Sequence, residues 1–199
     1  KRFFAKGQWG WLLGLLLLLG LSGRLAAETS ADAKSEAAPP PGTIQFVGQN
    51  LIANAEGTFH RWHVVEKAVD LSAIEASSVV VEIDLSSIDT KNESRDDHLR
   101  TADFFDVEKF PTAKVRGYGL KPLGDSPAGF PRYTISFDID LHGVSRTVQG
   151  QIDLVERAPV VVEGNLEINR MDFQIGNPAS RWNPMSIKEI IPVHFRVEL

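Results

Sequence analysis

From Thr43 onward the chain alternates apolar and polar residues with a period of two, and this pattern limits the fold more than any other feature. Val79, Val81, Ile83 and Leu85 alternate with Val80, Glu82, Asp84 and Ser86. Ile135, Phe137, Ile139 and Leu141 alternate with Ser136, Asp138, Asp140 and His142. The pattern recurs from Val148 to Leu154, from Val162 to Ile168 and from Ile191 to Leu199. Successive side chains on a strand point to opposite faces, so each segment has one dry and one wet face. A one-residue slip would bury Glu82, Asp84, Asp138 and Asp140, which fixes the parity. The reading is therefore all-β and antiparallel, with one face of the sheet covered.

Turn chemistry separates the strands. His142-Gly143 joins the strand ending at Leu141 to the one through Val148, with Gly143 free to take positive φ. The stretch Gly124-Asp125-Ser126-Pro127-Ala128-Gly129 makes a looser connection. Many short amphipathic strands fit either a barrel, which leaves room for a ligand, or a sandwich, which fills the space with its own side chains. Periodicity does not choose between them. One segment, Asp89–Phe105, has no alternation. Asn92 ahead of Arg95, Asp96, Leu99 and Arg100 predicts a short capped helix, its apolar content gathered at Leu99, Ala102, Phe104 and Phe105. Such an insert is expected to cover the mouth of a barrel.

The N-terminus predicts export. Lys1, Arg2 and Lys6 precede an apolar run from Trp9 to Leu21, and small residues follow at Ser22-Gly23 and Ala26-Ala27. Residues 1–27 read as a signal peptide, with a retained membrane anchor as the alternative. Residues 28–42, Ala-rich and closing on Pro39-Pro40-Pro41-Gly42, read as a flexible linker. Residues 43–199 then form one domain, in the periplasm or secreted. Four of the 21 Lys and Arg residues and none of the 26 Asp and Glu lie in residues 1–27, so the remainder carries a formal charge of −9. That acidity argues against nucleic acid as a partner. The absence of cysteine leaves no disulfide or thiol chemistry, so stability must come from the core.

Catalytic patterns are lacking. There is no HExxH, and Gly143-Val144-Ser145-Arg146-Thr147 lacks the last glycine of a nucleophile elbow. Gly117-Tyr118-Gly119 runs into Leu120-Lys121-Pro122, which cannot open a helix around phosphate. The acidic run Asp89–Asp97 has Lys91, Glu93 and Ser94 where a calcium loop needs Asx and glycine. His60 and His63, three apart in a strand or turn, do not share a face, and no metal is expected. Asn169–Phe173 suggests an Arg170–Asp172 contact tying a strand end. No enzyme activity and no cofactor are expected.

The stretch DTKNESRDDHLRTADFFDVEKFPTA, Asp89–Ala113, closely resembles the signature of the YceI-like family, the periplasmic polyisoprenoid-binding proteins. Ile44-Gln45-Phe46, Glu56–Phe59, VVVEIDLSSIDT at Val79–Thr90, LHGVSRTV at Leu141–Val148 and NRMDFQI at Asn169–Ile175 resemble other family segments, in order. The resemblance implies an extended eight-stranded, lipocalin-like antiparallel barrel with one short helical insert, holding an isoprenoid or quinone-like lipid. Two departures bear on the pocket mouth: a short start before Thr43, and an unusual loop, Gln174–Glu189, with Gly176-Asn177-Pro178 and Trp182-Asn183-Pro184. The implied apolar site is Phe46, Val79, Val81, Ile83, Phe104, Phe105, Phe137, Ile139 and Leu141; on the insert, His98 beside Arg95 and Arg100 reads either as a surface hydrogen-bonding residue of the helix or, together with Arg95, as a polar donor at the mouth. A transient membrane contact and a homodimer are compatible with this reading. The competing reading is a filled β-domain, a stress-associated or protein-interaction module whose surface does the work.

Overall fold

A computed structural model describes residues 39–199; the segments read as signal peptide and as most of the linker lie outside the described residues. Ten strands, β1 (Gly42–Gln49), β2 (Asn54–Phe59), β3 (Trp62–Ala68), β4 (Ser78–Asp84), β5 (Ile88–Asp89), β6 (Thr112–Asp125), β7 (Pro131–Leu141), β8 (Val144–Arg157), β9 (Val160–Asn169) and β10 (Ile190–Glu198), form one antiparallel sheet. The helix α1 (Glu93–Arg100) lies between β5 and β6. The first strand includes Gly42, the last residue of the stretch read as linker.

Ten strands make eight staves. Trp62 pairs with Ile83, and the same ladder continues with Phe59 opposite Ile88 and Thr58 opposite Asp89. β2 and β3 are thus two halves of one stave bent at His60-Arg61, and β4 and β5 are two halves of its neighbour. The bend is held by Arg61, whose amide donates to Ser87 Oγ (3.0 Å) and whose guanidinium donates to Asp84 (2.8 Å). β1 pairs with β2 on one side and with β10 on the other, so the ring closes. Closure removes free edges, which otherwise invite association with other chains.

Alternation places the core inside this ring. Ile83, Ile135, Phe137, Ile139, Leu141, Ile152 and Leu166 are all buried and belong to one apolar cluster. Their polar neighbours face outward, where Tyr118 and Thr147 both donate to Asp138 and Arg132 donates two bonds to Asp153. The tight β7–β8 turn has positive φ at His142 (53°) and Gly143 (74°), as a two-residue hairpin of this twist requires.

Following the staves in order puts four connections at one end of the barrel: the 50–53 turn, the α1 insert, the 142–143 hairpin and the long 170–189 segment. The other end carries the 69–77 connection with its 3₁₀ turn, the 126–130 and 158–159 turns, and the C-terminus.

Candidate functional site

The interior holds an apolar cavity of about 280 Å³ whose lining reaches both ends of the barrel. Its wall comes from every stave, with Ile44 and Phe46 on β1, Phe59 on β2, Val81 and Ile83 on β4, Val115 on β6, Phe137 and Ile139 on β7, Leu154 on β8, Leu166 on β9 and Phe195 on β10. At one end the wall finishes with Leu99, Phe104, Phe105 and Ile175, at the other with Leu71, Ile74, Val160 and Leu199. Apolar space that side chains fail to fill costs about 24 cal/mol per Å³. For this lumen that amounts to about 7 kcal/mol, comparable with the whole stability of a small domain. An apolar occupant recovers that cost, and water, lacking polar partners there, does not.

The lumen stays open because of where phenylalanine and glycine meet. Phe46 stands opposite Gly57, Phe137 opposite Gly117, and Phe195 opposite Gly164. A Cβ on Gly57 would lie 2.2 Å from Phe46 Cζ, and one on Gly164 would lie 2.3 Å from Phe195 Cζ. Each ring therefore lies down over its cross-strand glycine, hugging the wall instead of projecting across the lumen. The bare backbone at these positions is the close approach for which strand glycines are used.

One end is capped by α1. Asn92 accepts from the Arg95 amide (3.0 Å), as an N-cap does, and the face carrying Arg95, Asp96 and Leu99 turns toward the barrel. Buried Asp96 accepts from the amide of Thr90 (2.9 Å) and from its hydroxyl. Arg100 donates to the carbonyls of Ser86 (3.0 Å) and Ile88 (2.9 Å). These bonds clamp the helix to the β4–β5 stave.

All nine apolar residues named from the sequence, Phe46, Val79, Val81, Ile83, Phe104, Phe105, Phe137, Ile139 and Leu141, lie on the cavity wall. Arg95 is also on the wall, but its guanidinium is committed to Thr90, donating to Oγ1 (2.7 Å) and to the carbonyl (2.7 Å). His98 is not on the wall. It sits on the outward side of α1, exposed, 3.6 Å from Asp103 and edge-on to Phe104. His60 and His63 are both exposed, and His60 bonds Asp89 (3.0 Å). Lys91 first, and His60 next, hold the Asp89 carboxyl far below the usual carboxylate range. Among the described residues no three His, Cys, Asp or Glu side chains gather as a metal site would need.

The expected Arg170–Asp172 contact does not form. Asp172 is exposed, whereas Arg170 is only 6% exposed and reaches the cavity wall. Its guanidinium donates to the carbonyls of Ile175 (2.7 Å), Asn177 (2.6 Å), Ile187 (2.9 Å) and Lys188 (3.1 Å). Burial pulls its pKa below the ordinary arginine value, and the charge of Glu189 opposes this. A buried cation needs oxygen partners, and the planar fork of arginine satisfies four carbonyls at once. The side chain thereby pins both arms of the 174–189 loop. Nothing in local spacing announces this role, since the partners lie 5 to 18 residues downstream.

A closed antiparallel barrel around an apolar lumen defines the lipocalin-like class of fold. The model of the YceI-like domain matches residues 36–199, and the chain belongs to that family. A UPF0312 protein of Pseudomonas savastanoi pv. phaseolicola is 30% identical over 131 residues, 66% of this chain and 64% of the relative, so the match spans less than two thirds of that protein. A UPF0312 protein of Photorhabdus laumondii, plu2095, is 33% identical over 140 residues, 69% of this chain and 68% of the relative. Among solved structures, Burkholderia cenocepacia BcnA superposes with a TM-score of 0.68 at 19% identity, covering 78% of this chain and 94% of its own. A polyisoprenoid binding domain from Saccharophagus degradans gives 0.55 at 17% identity, covering 78% and 91%. At these identities the structures establish the shared fold.

Proposed function

We propose that this protein is a carrier that encloses one long, unbranched or methyl-branched apolar lipid of the polyisoprenoid or quinone class along the barrel axis, and performs no reaction on it. The observation that carries the reading is the lumen itself, about 280 Å³ and walled almost wholly by carbon. A filled β-domain would spend the same volume on its own side chains. The Saccharophagus domain, described as polyisoprenoid binding and sharing this fold, supports the same ligand class. Each buried methylene-sized unit contributes roughly 0.8 kcal/mol, so chain length rather than headgroup sets affinity. Ordering a flexible chain offsets part of the gain. The charge, apolar run and small-residue exit of residues 1–27 support an exported, periplasmic or secreted site of action, with transport, storage or sequestration as the task.

The test is a titration with polyprenols of increasing length. Affinity should climb with each added isoprene unit and then level off when the lumen is full. Affinity indifferent to chain length would overturn the proposal.

A further inference from the structure

The strongest unassigned feature is an apolar patch at the end of the barrel that carries α1. Two loops build it, the 50–53 turn and the 180–188 segment, and they are hydrogen-bonded to each other. Leu51 N donates to Pro184 O (3.2 Å), and Lys188 N donates to Gln49 O (2.7 Å). Trp182 is 88% exposed, Leu51 74%, Ile52 65% and Met185 60%. Small soluble domains rarely display four large apolar side chains on two adjoining loops, and such groupings mark interaction surfaces. The turns are built to hold them out. Asn50 Oδ1 accepts from Ile52 N and Ala53 N, and Asn183 Oδ1 accepts from Met185 N.

We infer that this patch docks on an anionic lipid surface, where the carrier exchanges its ligand. The inference rests on the carrier reading above. Two observations select a membrane over a second protein. The first is charge. Residues 49–54 and 174–188 contain no acid, and their charged residues are Arg181 and Lys188, both exposed, in a chain otherwise strongly acidic after residue 27; Glu189, which ends the loop, is half-buried and accepts from the Ala179 amide. Cations beside an exposed tryptophan suit the interface of an anionic bilayer, where indoles sit at headgroup depth. A second copy docking patch to patch would instead set Arg181 and Lys188 against their own like charges. The second observation is continuity with the lumen. Gly48 and Ala55, paired at the base of the 50–53 turn, and Ile187 in the opposite loop are all on the cavity wall. The lumen therefore reaches the base of the patch, and an apolar chain leaving it there passes into hydrocarbon without crossing open water.

Residues 28–199 contain every pairing of the closed barrel and are the material for the test. They hold two tryptophans, Trp62 buried at 4% and Trp182 exposed, so a change in emission on vesicle binding reports Trp182. Sedimentation with vesicles of phosphatidylcholine alone, and with about one third phosphatidylglycerol, should show binding to the anionic vesicles only, weakened by salt. Trp182 emission should shift to the blue. The variants Trp182→Ala and Leu51→Ser should each weaken binding roughly tenfold or more while keeping the far-UV spectrum and melting temperature of the parent. Failure to bind either vesicle would overturn the inference. So would a dimer that depends on Trp182 and forms without vesicle binding. Bound lipid is extracted from the same preparations: lipid present without docking removes the membrane inference alone, and docking without lipid removes the carrier reading on which it rests.

Discussion

Replacing Gly57 by alanine puts a methyl where the Phe46 ring now lies. The new Cβ would sit 2.2, 2.6 and 2.9 Å from three ring atoms, and its nearest neighbours include no backbone. The ring must therefore move, and the lumen is where it has room. In a filled core such overpacking costs about 1–3 kcal/mol. Here the lumen absorbs the ring, and alanine recovers roughly 0.5–1 kcal/mol of backbone entropy relative to glycine, so folding stability should stay within about 1 kcal/mol of the parent. The cost falls on the ligand. A ring swung off the wall takes the room of about two methylene-sized units, which at roughly 0.8 kcal/mol each is about 1.6 kcal/mol, or roughly 15-fold in Kd. Polyprenol titration and urea denaturation of Gly57→Ala, Phe46→Leu and the double variant form a thermodynamic cycle. With the ring removed by Phe46→Leu, adding Gly57→Ala should no longer weaken binding. Equal weakening in both backgrounds would refute the ring-over-glycine account. Unchanged affinity with a stability loss above about 2 kcal/mol would show a lumen already packed by its own side chains.

Arg170→Met should destabilise the domain by about 3–5 kcal/mol, because four carbonyls lose a charged donor inside the barrel end; limited proteolysis should then cut within 176–188, and an intact loop would contradict the assignment. Asn92→Ala should cost about 1 kcal/mol through the lost N-cap, read by urea denaturation, and a loss below about 0.3 kcal/mol would count against it. The pH response of Asp153→Asn follows from its pairing with Arg132, which lowers the Asp153 pKa in the folded protein. A lowered folded pKa stabilises above the unfolded value of about 3.9 and is lost as pH falls through the folded value. The melting-temperature gap between parent and variant should thus be full at pH 7 and close below about pH 4, and a gap that widens in acid would contradict the sign.

The lumen's wall was legible because a strand pattern is local. Val81, Ile83, Phe137 and Ile139 face inward for the reason their acidic neighbours face out, and parity alone decides it. The cap on α1 was equally local, since Asn92 and the Arg95 amide are three residues apart. What the sequence hid depends on which strands meet. The bend at His60-Arg61, which makes one stave of β2 and β3, shows only in the shared ladder with β4 and β5. The phenylalanine–glycine pairs exist only in register, and neither residue signals the other from 11 or more positions away. Arg170 does not meet Asp172, two residues on and exposed, because burial of the guanidinium favours the four carbonyls the loop brings to it. His98 lies off the wall, which helix periodicity does not settle, because it gives faces but not which face meets the barrel.

Native mass spectrometry of the protein purified from its native host, followed by organic extraction, measures directly whether an apolar chain occupies the lumen. The expected result is a mass excess of one lipid per chain, released by solvent as a long isoprenoid-type molecule, with a lower melting temperature once stripped. A protein that carries no excess mass, takes up no polyprenol, and melts identically before and after extraction would contradict the carrier reading.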